Sequence, residues 1–217
     1  MIELGLKFTL GYLLGGVLGS LVVGWFRGGV DIRKLGSGNA GGTNALRTQG
    51  KWFALGVMVI DIGKGILAAI VIPPLALPGI VPDPGLDPEL LVYAVAFAAV
   101  VGHVFPVWFG FRGGKGGATA AGLLVYFAPV VALPVLVSWI AIVLLTGYVG
   151  LATISAGVVS VVVVGIFHLP DQPGLFVFDF ATVALLIFAH RGNIKRMLNG
   201  TESRFTRPVW ARLTGGK

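Results

Sequence analysis

The chain has 217 residues, of which 56% are apolar and only 12% charged, with a net charge of +7 and no cysteine. Soluble domains carry about 25% charged residues, so this composition excludes an ordinary soluble domain and points to the membrane. The missing cysteines exclude thiol nucleophiles, thioester intermediates and disulfides, and His103, His168 and His190 are too scattered for a zinc site.

The first apolar run covers about Leu6–Trp25. Glu3 precedes Lys7 and no basic leader stands before the run, so a cleaved signal peptide is not expected. The segment that follows carries Arg27, Arg33, Lys34, Arg47 and Lys51 against a single acid, Asp31, which places it inside by the positive-inside rule. After the run Trp52–Leu77, the segment Pro73–Glu89 has no Lys or Arg and holds Asp83, Asp87 and Glu89, so it faces outward. After Leu90–Phe109, the loop Gly110–Gly117 holds Arg112 and Lys115 and returns inside. Between Ala118 and Phe167 the chain is uncharged. It starts inside and ends at the outward segment His168–Gly174, so it crosses an odd number of times. Three crossings of about 16 residues fit, each short against the ~20 residues of an ordinary span, with turns near Pro134 and Thr146–Gly150. The tail after His190 holds Arg191, Lys195, Arg196, Arg204, Arg207, Arg212 and Lys217 and lies inside. The expectation is an all-α integral membrane protein of about seven short transmembrane helices, N-terminus out and C-terminus in, forming a single polytopic domain over residues 1–217. Five crossings with a re-entrant segment is the rival arrangement. Basic residues confined between apolar runs are explained by topology, so nucleic acid is not an expected partner, and the last three basic residues suit anionic lipid.

Four polar, glycine-rich groups all fall on the inner side. The first reads GSGNAGGTNALR from Gly36 to Arg47. Its opening letters match a dinucleotide fingerprint, but a membrane helix precedes it where that fold needs a strand. The glycines let backbone N–H groups converge, Ser37, Asn39, Thr43 and Asn44 add donors, and Arg47 offers a fork for phosphate oxygens. A helix starting near Thr43 would aim its N-terminus the same way. The second is Gly102–Thr119; its part Phe111–Thr119 lacks Walker A spacing but supplies Lys115 as a point charge beside Gly114. The third is the turn TGYVGLAT. The fourth holds His190, Asn193, Lys195, Arg196, Glu202 and Arg204; on a continuing helix His190 and Asn193 would share a face with Met197. Asp61 and Lys64, three apart in an apolar run, are read as a pair, and His103 as either an interface histidine or a site residue. No acyltransferase His–Asp box, nucleophile elbow or carboxylate cluster is present. The set suits positioning and charge stabilisation of phosphorylated substrates. A transporter for a phosphorylated solute, the rival class, would place its site near the midplane, where Asp61 and Lys64 cancel.

Taken in order, Gly36-Ser-Gly-Asn-x-Gly-x-Thr-Asn-x-x-Arg47, Gly102-His-x-x-Pro106 with Phe111-Arg-Gly-Gly-Lys-Gly-x-Ala-Thr119, and His190-x-x-Asn-Ile-x-Arg196 with Gly200-x-Glu-x-Arg204 resemble the PlsY-type acyl-phosphate:glycerol-3-phosphate acyltransferases of bacteria. Asp61-x-x-Lys-Gly65 fits as well. The resemblance implies acyl transfer from acyl phosphate to the 1-hydroxyl of glycerol 3-phosphate, giving lysophosphatidic acid and phosphate, at the cytoplasmic face of the bacterial plasma membrane, with no metal or other cofactor. It further implies that Gly36, Ser37, Gly38, Asn39, Gly41, Thr43, Asn44, Gly114 and Lys115 cage the acyl-phosphate phosphoryl group. Lys115 and Arg47 would neutralise its charge, while Arg47, His190, Asn193 and Arg196 would hold glycerol 3-phosphate. Lys115, His190, Asn193 and Arg47 are the expected catalytic set, with either His190 or the substrate phosphate as base. The acyl chain would lie in a groove open to membrane lipid, and the soluble enzyme that makes acyl phosphate is a further candidate partner. Relatives tend to read R-Y-V-S-L-x-S where this chain has Gly147-Tyr-Val-Gly-Leu-Ala-Thr153, so the roles of that Arg and first Ser are not carried over.

Overall fold

The computed structural model describes residues 1–206, and among them every regular element is helical. Arg207, Arg212 and Lys217, expected to touch lipid, lie outside the described residues. The helices are α1 (Ile2–Gly15), α2 (Gly19–Phe26), α3 (Gly42–Gln49), α4 (Lys51–Val71), α5 (Pro88–Val104), α6 (Gly117–Phe127), α7 (Pro129–Thr146), α8 (Val149–Phe167), α9 (Pro173–Ala189) and α10 (Arg191–Leu198). Four of them, α4, α5, α7 and α8, are long and apolar enough to cross a membrane. Counting the bent pairs α1 with α2 (44°) and α9 with α10 (52°) as one span each raises this to six. The remaining apolar run is α6, only 11 residues long. The chain forms two compact units, Met1–Tyr126 and the part from Phe127 onward.

In the first unit α5 is the most enclosed helix: Val95, Ala96, Ala98, Ala99 and Val100 are fully buried. Helix α1 lies against it through Gly11 and Gly15, four apart on one face. A Cβ at Gly15 would overlap the Ala99 backbone, and one at Gly11 would lie 2.7 Å from the Val95 carbonyl. Such backbone contact suits helices in lipid, where van der Waals packing replaces the hydrophobic effect as the cohesive force.

The break between α1 and α2 contains no proline, so its cause lies elsewhere. Lys64 Nζ donates to the Val17 carbonyl at 2.7 Å, and the Gly19 N–H donates to Asp61 Oδ1 at 3.0 Å. The backbone groups released at the bend are thus satisfied by an ion pair on α4, whose own members lie 3.1 Å apart. The expected Asp61–Lys64 pairing is therefore present. It also includes His103 at the end of α5, whose Nδ1 sits 2.8 Å from Lys64 Nζ. At the other end of the unit, Lys7 donates to Glu3 and to the Pro73 carbonyl, each at 2.6 Å, and Glu3 accepts the Asp83 N–H at 2.9 Å. This ties the α4–α5 loop to the start of α1.

In the second unit, α8 packs against α7 and α9. The break before α7 falls at Ala128, not at Pro134 as expected from the sequence; Pro134 lies inside α7. The residue before a proline is pushed out of the helical region, and Pro129 does this to Ala128, which sits at φ −141°, ψ 68°. Proline within a spanning helix is tolerated, so Pro134 does not end one. Across α8 and α9, Ser160 Oγ donates to Asp179 Oδ1 at 3.2 Å, a buried contact that sequence reading missed.

Replacing Lys64 by Met leaves Asp61 buried without its cation, an error that costs about 3–5 kcal/mol for a buried pair. Thermal unfolding in detergent should show a large loss for Lys64→Met and recovery of most of it in Asp61→Asn/Lys64→Met. Equal losses in the two proteins would refute the pairing.

Candidate active site

The first polar loop is built around one amide. Asn44 is fully buried; its Nδ2 donates to the carbonyls of Ile32 (2.9 Å), Leu35 (3.0 Å) and Asn39 (3.0 Å). Its Oδ1 accepts the Ser37 N–H at 3.0 Å. Read from sequence as a donor to ligand, Asn44 instead turns its hydrogen bonds onto the loop and sets its shape. Gly36, at φ +56°, is where the chain passes over that amide, and a Cβ there would overlap Asn44 Oδ1. Upstream, Asp31 accepts from the Arg33 N–H and guanidinium, at 2.9–3.3 Å, and the guanidinium holds its carboxyl below the usual range. Downstream, Gly41 enters α3 in an extended conformation with no side-chain cap. The first N–H groups of a helix have no partner inside it, so this end is suited to an anion. Thr43 and Arg47, four apart, share a face of α3. Ser37, Gly38 and Arg47 are exposed; Asn39, Gly41 and Thr43 are half-buried.

The second loop is seated on His103. The N–H groups of Gly113 and Gly114 donate to the carbonyls of Val104 (3.2 Å) and His103 (3.0 Å). A Cβ at Gly114 would overlap the His103 ring, so only glycine allows this approach. With the Lys64 ammonium donating to Nδ1, the neutral ring carries its proton on Nε2, the atom that faces Gly114. Lys115 follows, half-buried, and α6 begins two residues later. Arg33 joins the two loops: its guanidinium lies 4.9 Å above the Phe109 ring. Gly36 to Arg47 and Gly114–Lys115 thus belong to one unit.

The fourth group lies in the second unit. The helix does not continue straight through it, because the chain bends at His190, which ends α9 and starts α10. His190 Nδ1 donates to the Leu186 carbonyl at 2.7 Å, so in the neutral ring Nε2 is the nitrogen without the proton. Asn193 Nδ2 and Arg196 Nε each donate to Glu202 at 2.6 Å, one to each carboxylate oxygen. Among the described residues no three His, Asp or Glu side chains gather closely enough to hold a metal ion.

The four polar groups share one feature: each stands at a helix N-terminus, of α3, α6, α8 or α10. The family description "Glycerol-3-phosphate acyltransferase" matches residues 6–200. Proteins of that name from Chlorobaculum parvum and Zymomonas mobilis are 38% and 40% identical to the chain, over 91% and 94% of it and 94% and 96% of their own lengths. The chain belongs to the glycerol-3-phosphate acyltransferase family. It is similar in structure to PlsY, an integral membrane glycerol 3-phosphate acyltransferase, in its glycerol 3-phosphate form (TM-score 0.79, 34% identity, 94% of this chain and 96% of that one). The lysophosphatidic acid form of PlsY matches equally well, at 33% identity.

At the α7–α8 turn this acyltransferase departs from the pattern expected of relatives, and the geometry shows what fills the space. Gly147 has φ +77° and its carbonyl accepts the Phe205 N–H at 2.7 Å; a Cβ there would overlap the Thr206 carbonyl. Arg204, on the same strap, lies 5.2 Å over the Tyr148 ring. Gly150 faces Asn193, whose Cβ and Nδ2 would be 3.1 Å from an added Cβ. Sequence reading also missed the joint role of Glu202, since its link to Asn193 and Arg196 depends on how the strap turns back.

Glu202→Ala removes both charge-assisted hydrogen bonds, each worth about 1.5–3 kcal/mol. The KM for glycerol 3-phosphate should rise by about 10-fold or more, with a smaller change in kcat, in steady-state assays. An unchanged KM would show that the clamp does not set the geometry of Asn193 and Arg196.

Proposed function

We propose that this acyltransferase moves a fatty acyl group from acyl phosphate to the 1-hydroxyl of glycerol 3-phosphate, releasing lysophosphatidic acid and phosphate at the cytoplasmic face of the bacterial plasma membrane. The observation that carries the reading is the coincidence of every glycine-rich motif with a helix N-terminus, two of them joined by Lys115 or Arg47. Helix N-termini and fixed cations stabilise phosphate oxygens without covalent chemistry. Glycerol 3-phosphate and lysophosphatidic acid are the ligands named for the PlsY forms it resembles.

In this mechanism Ser37, Asn39, Thr43 and the N–H groups at Gly41 and the start of α3 hold the phosphoryl group of the donor, on a loop whose shape Asn44, Gly36 and Gly38 maintain. Lys115, carried past Gly114, stabilises the charge that grows as the acyl–oxygen bond breaks and phosphate leaves. Arg47 adds its charge to the phosphoryl site of the donor, and Asn193 and Arg196 bind glycerol 3-phosphate, with His190 beside its hydroxyl. That hydroxyl attacks the acyl carbon, forming the ester bond, and its proton passes to His190 Nε2 or to the departing phosphate. The chain acts as a single membrane domain, its donor arriving from the soluble enzyme that makes acyl phosphate.

The purified protein should release inorganic phosphate from palmitoyl phosphate only when glycerol 3-phosphate is present. Lys115→Ala should lower kcat about 10²–10³-fold, the loss seen when one preorganised donor to developing charge is removed, with an unchanged melting temperature. Asn44→Ala should lower both rate and melting temperature, because it dismantles the loop. A wild-type protein that releases no phosphate sinks the reading. For His190→Ala, a pH–rate profile of unchanged shape assigns the proton to phosphate; loss of its acid limb assigns it to His190.

A further inference from the structure

Between α5 and α6 the chain reads Val107-Trp-Phe-Gly-Phe-Arg112. Trp108 and Phe111 are each 59% exposed. Phe111 has φ +61°, and it is the one non-glycine residue with a positive φ among the described residues. A bulky side chain in this region is strained, and the loop already uses glycine at Gly110 and Gly113. Glycine would occupy position 111 without strain, so the ring is kept against a local cost, as happens where function fixes a residue.

The loop is held firmly from behind. The Phe111 N–H donates to the Pro106 carbonyl at 3.0 Å, and Arg33 covers Phe109. The indole edge of Trp108 rests on the α1–α2 break, 3.1 Å from where a Cβ on Gly16 would stand. The two exposed rings are therefore oriented. In water they would gain nothing from this exposure. The loop, however, leaves the apolar helix α5 at Val104 and re-enters the apolar helix α6 at Gly117, so it lies at the level where these helices meet the membrane surface. Trp is favoured there, and interfacial segments pair Trp and Phe with Lys or Arg; Arg112 is exposed beside Phe111.

We propose that Trp108 and Phe111 form a wedge inserted into the outer hydrocarbon of the surrounding lipid leaflet. The wedge fixes the depth of the Gly113–Gly117 loop, so that Lys115, four residues beyond Phe111, meets a phosphate borne on a membrane-embedded acyl chain. The second half of this inference rests on the acyl-phosphate reading; the membrane contact does not.

The test uses the full chain in phosphatidylcholine–phosphatidylglycerol vesicles, with Trp108 as its sole tryptophan after Trp25, Trp52, Trp139 and Trp210 are replaced by Phe. Phosphatidylcholine brominated near its headgroup should quench Trp108 emission more strongly than lipid brominated near the chain ends, and aqueous iodide should quench it little. Strong iodide quenching without lipid quenching overturns the proposal. In the otherwise native chain, Phe111→Asn keeps a residue that accepts positive φ and removes the ring. It should raise the KM for palmitoyl phosphate several-fold in vesicles, leaving the KM for glycerol 3-phosphate and the melting temperature unchanged. Equal change in both constants, or none, overturns the role in presenting the donor. Lipid quenching in a protein that releases no phosphate would leave the wedge standing and remove the acyl-phosphate reading instead.

Discussion

Asp61, Lys64 and His103 are each no more than 3% exposed, and they sit among apolar helices. An ionisable group in such a place is costly unless it is paired, and an unsatisfied backbone group in lipid costs several kcal/mol as well. Here each problem answers the other. The ion pair on α4 supplies the donor and acceptor that the α1–α2 break leaves wanting, so the bend has a fixed position without proline. The same pair reaches His103, and the backbone of Asp61 accepts the Thr119 hydroxyl at 2.9 Å on α6. The loop carrying Lys115 is thus bounded by two helices anchored to one buried cluster. Its seat, the His103 ring under Gly114, is a member of that cluster.

The glycines around the polar loops do two different jobs. In the first loop the Ser37 and Gly38 amides are already spent, on Asn44 Oδ1 and on the Leu35 carbonyl (3.0 Å). Gly36 and Gly38 make a shape, and under the proposed function the donors to a ligand come from the uncapped start of α3 and from the exposed Ser37 and Arg47 side chains. In the second loop Gly113 and Gly114 serve contact: they let the backbone lie on the end of α5. Under the proposed function, anion affinity comes from helix ends and fixed cations, the form of stabilisation that needs no reorganisation during the reaction.

What the sequence revealed follows from how local each feature is. The Asp61–Lys64 pair, the helix starting beside Thr43 and the turn at Gly147 could be read because their partners lie within four residues. Pro134 reads as a break, yet the chain breaks at Ala128, because that residue, standing before Pro129, is the one that leaves the helical region. The α1–α2 bend could not be read: its cause sits some forty residues away in α4. For the same reason the site residues were legible by type and not by role. Asn44 looks like a ligand donor until its three carbonyl partners are known, and Glu202 is one polar residue of the fourth group until the strap returns it to Asn193 and Arg196.

His190 shows how one bend can serve two ends. Its backbone N–H donates to the carbonyls of Leu186 (3.0 Å) and Ile187 (3.1 Å), and its ring Nδ1 donates to Leu186 as well. The residue therefore closes α9 with both its backbone and its side chain, and ring orientation is locked to the helix axis. The chain then turns by 52° into α10, whose side-chain-uncapped N-terminus starts at the next residue. A straight continuation would have buried those N–H groups in the helix ladder and turned the ring along its surface. The bend instead places a fixed imidazole nitrogen and a helix N-terminus within one residue of each other. In the proposed reaction the phosphate of the alcohol substrate meets the donors of that N-terminus, and the imidazole nitrogen stands beside its hydroxyl.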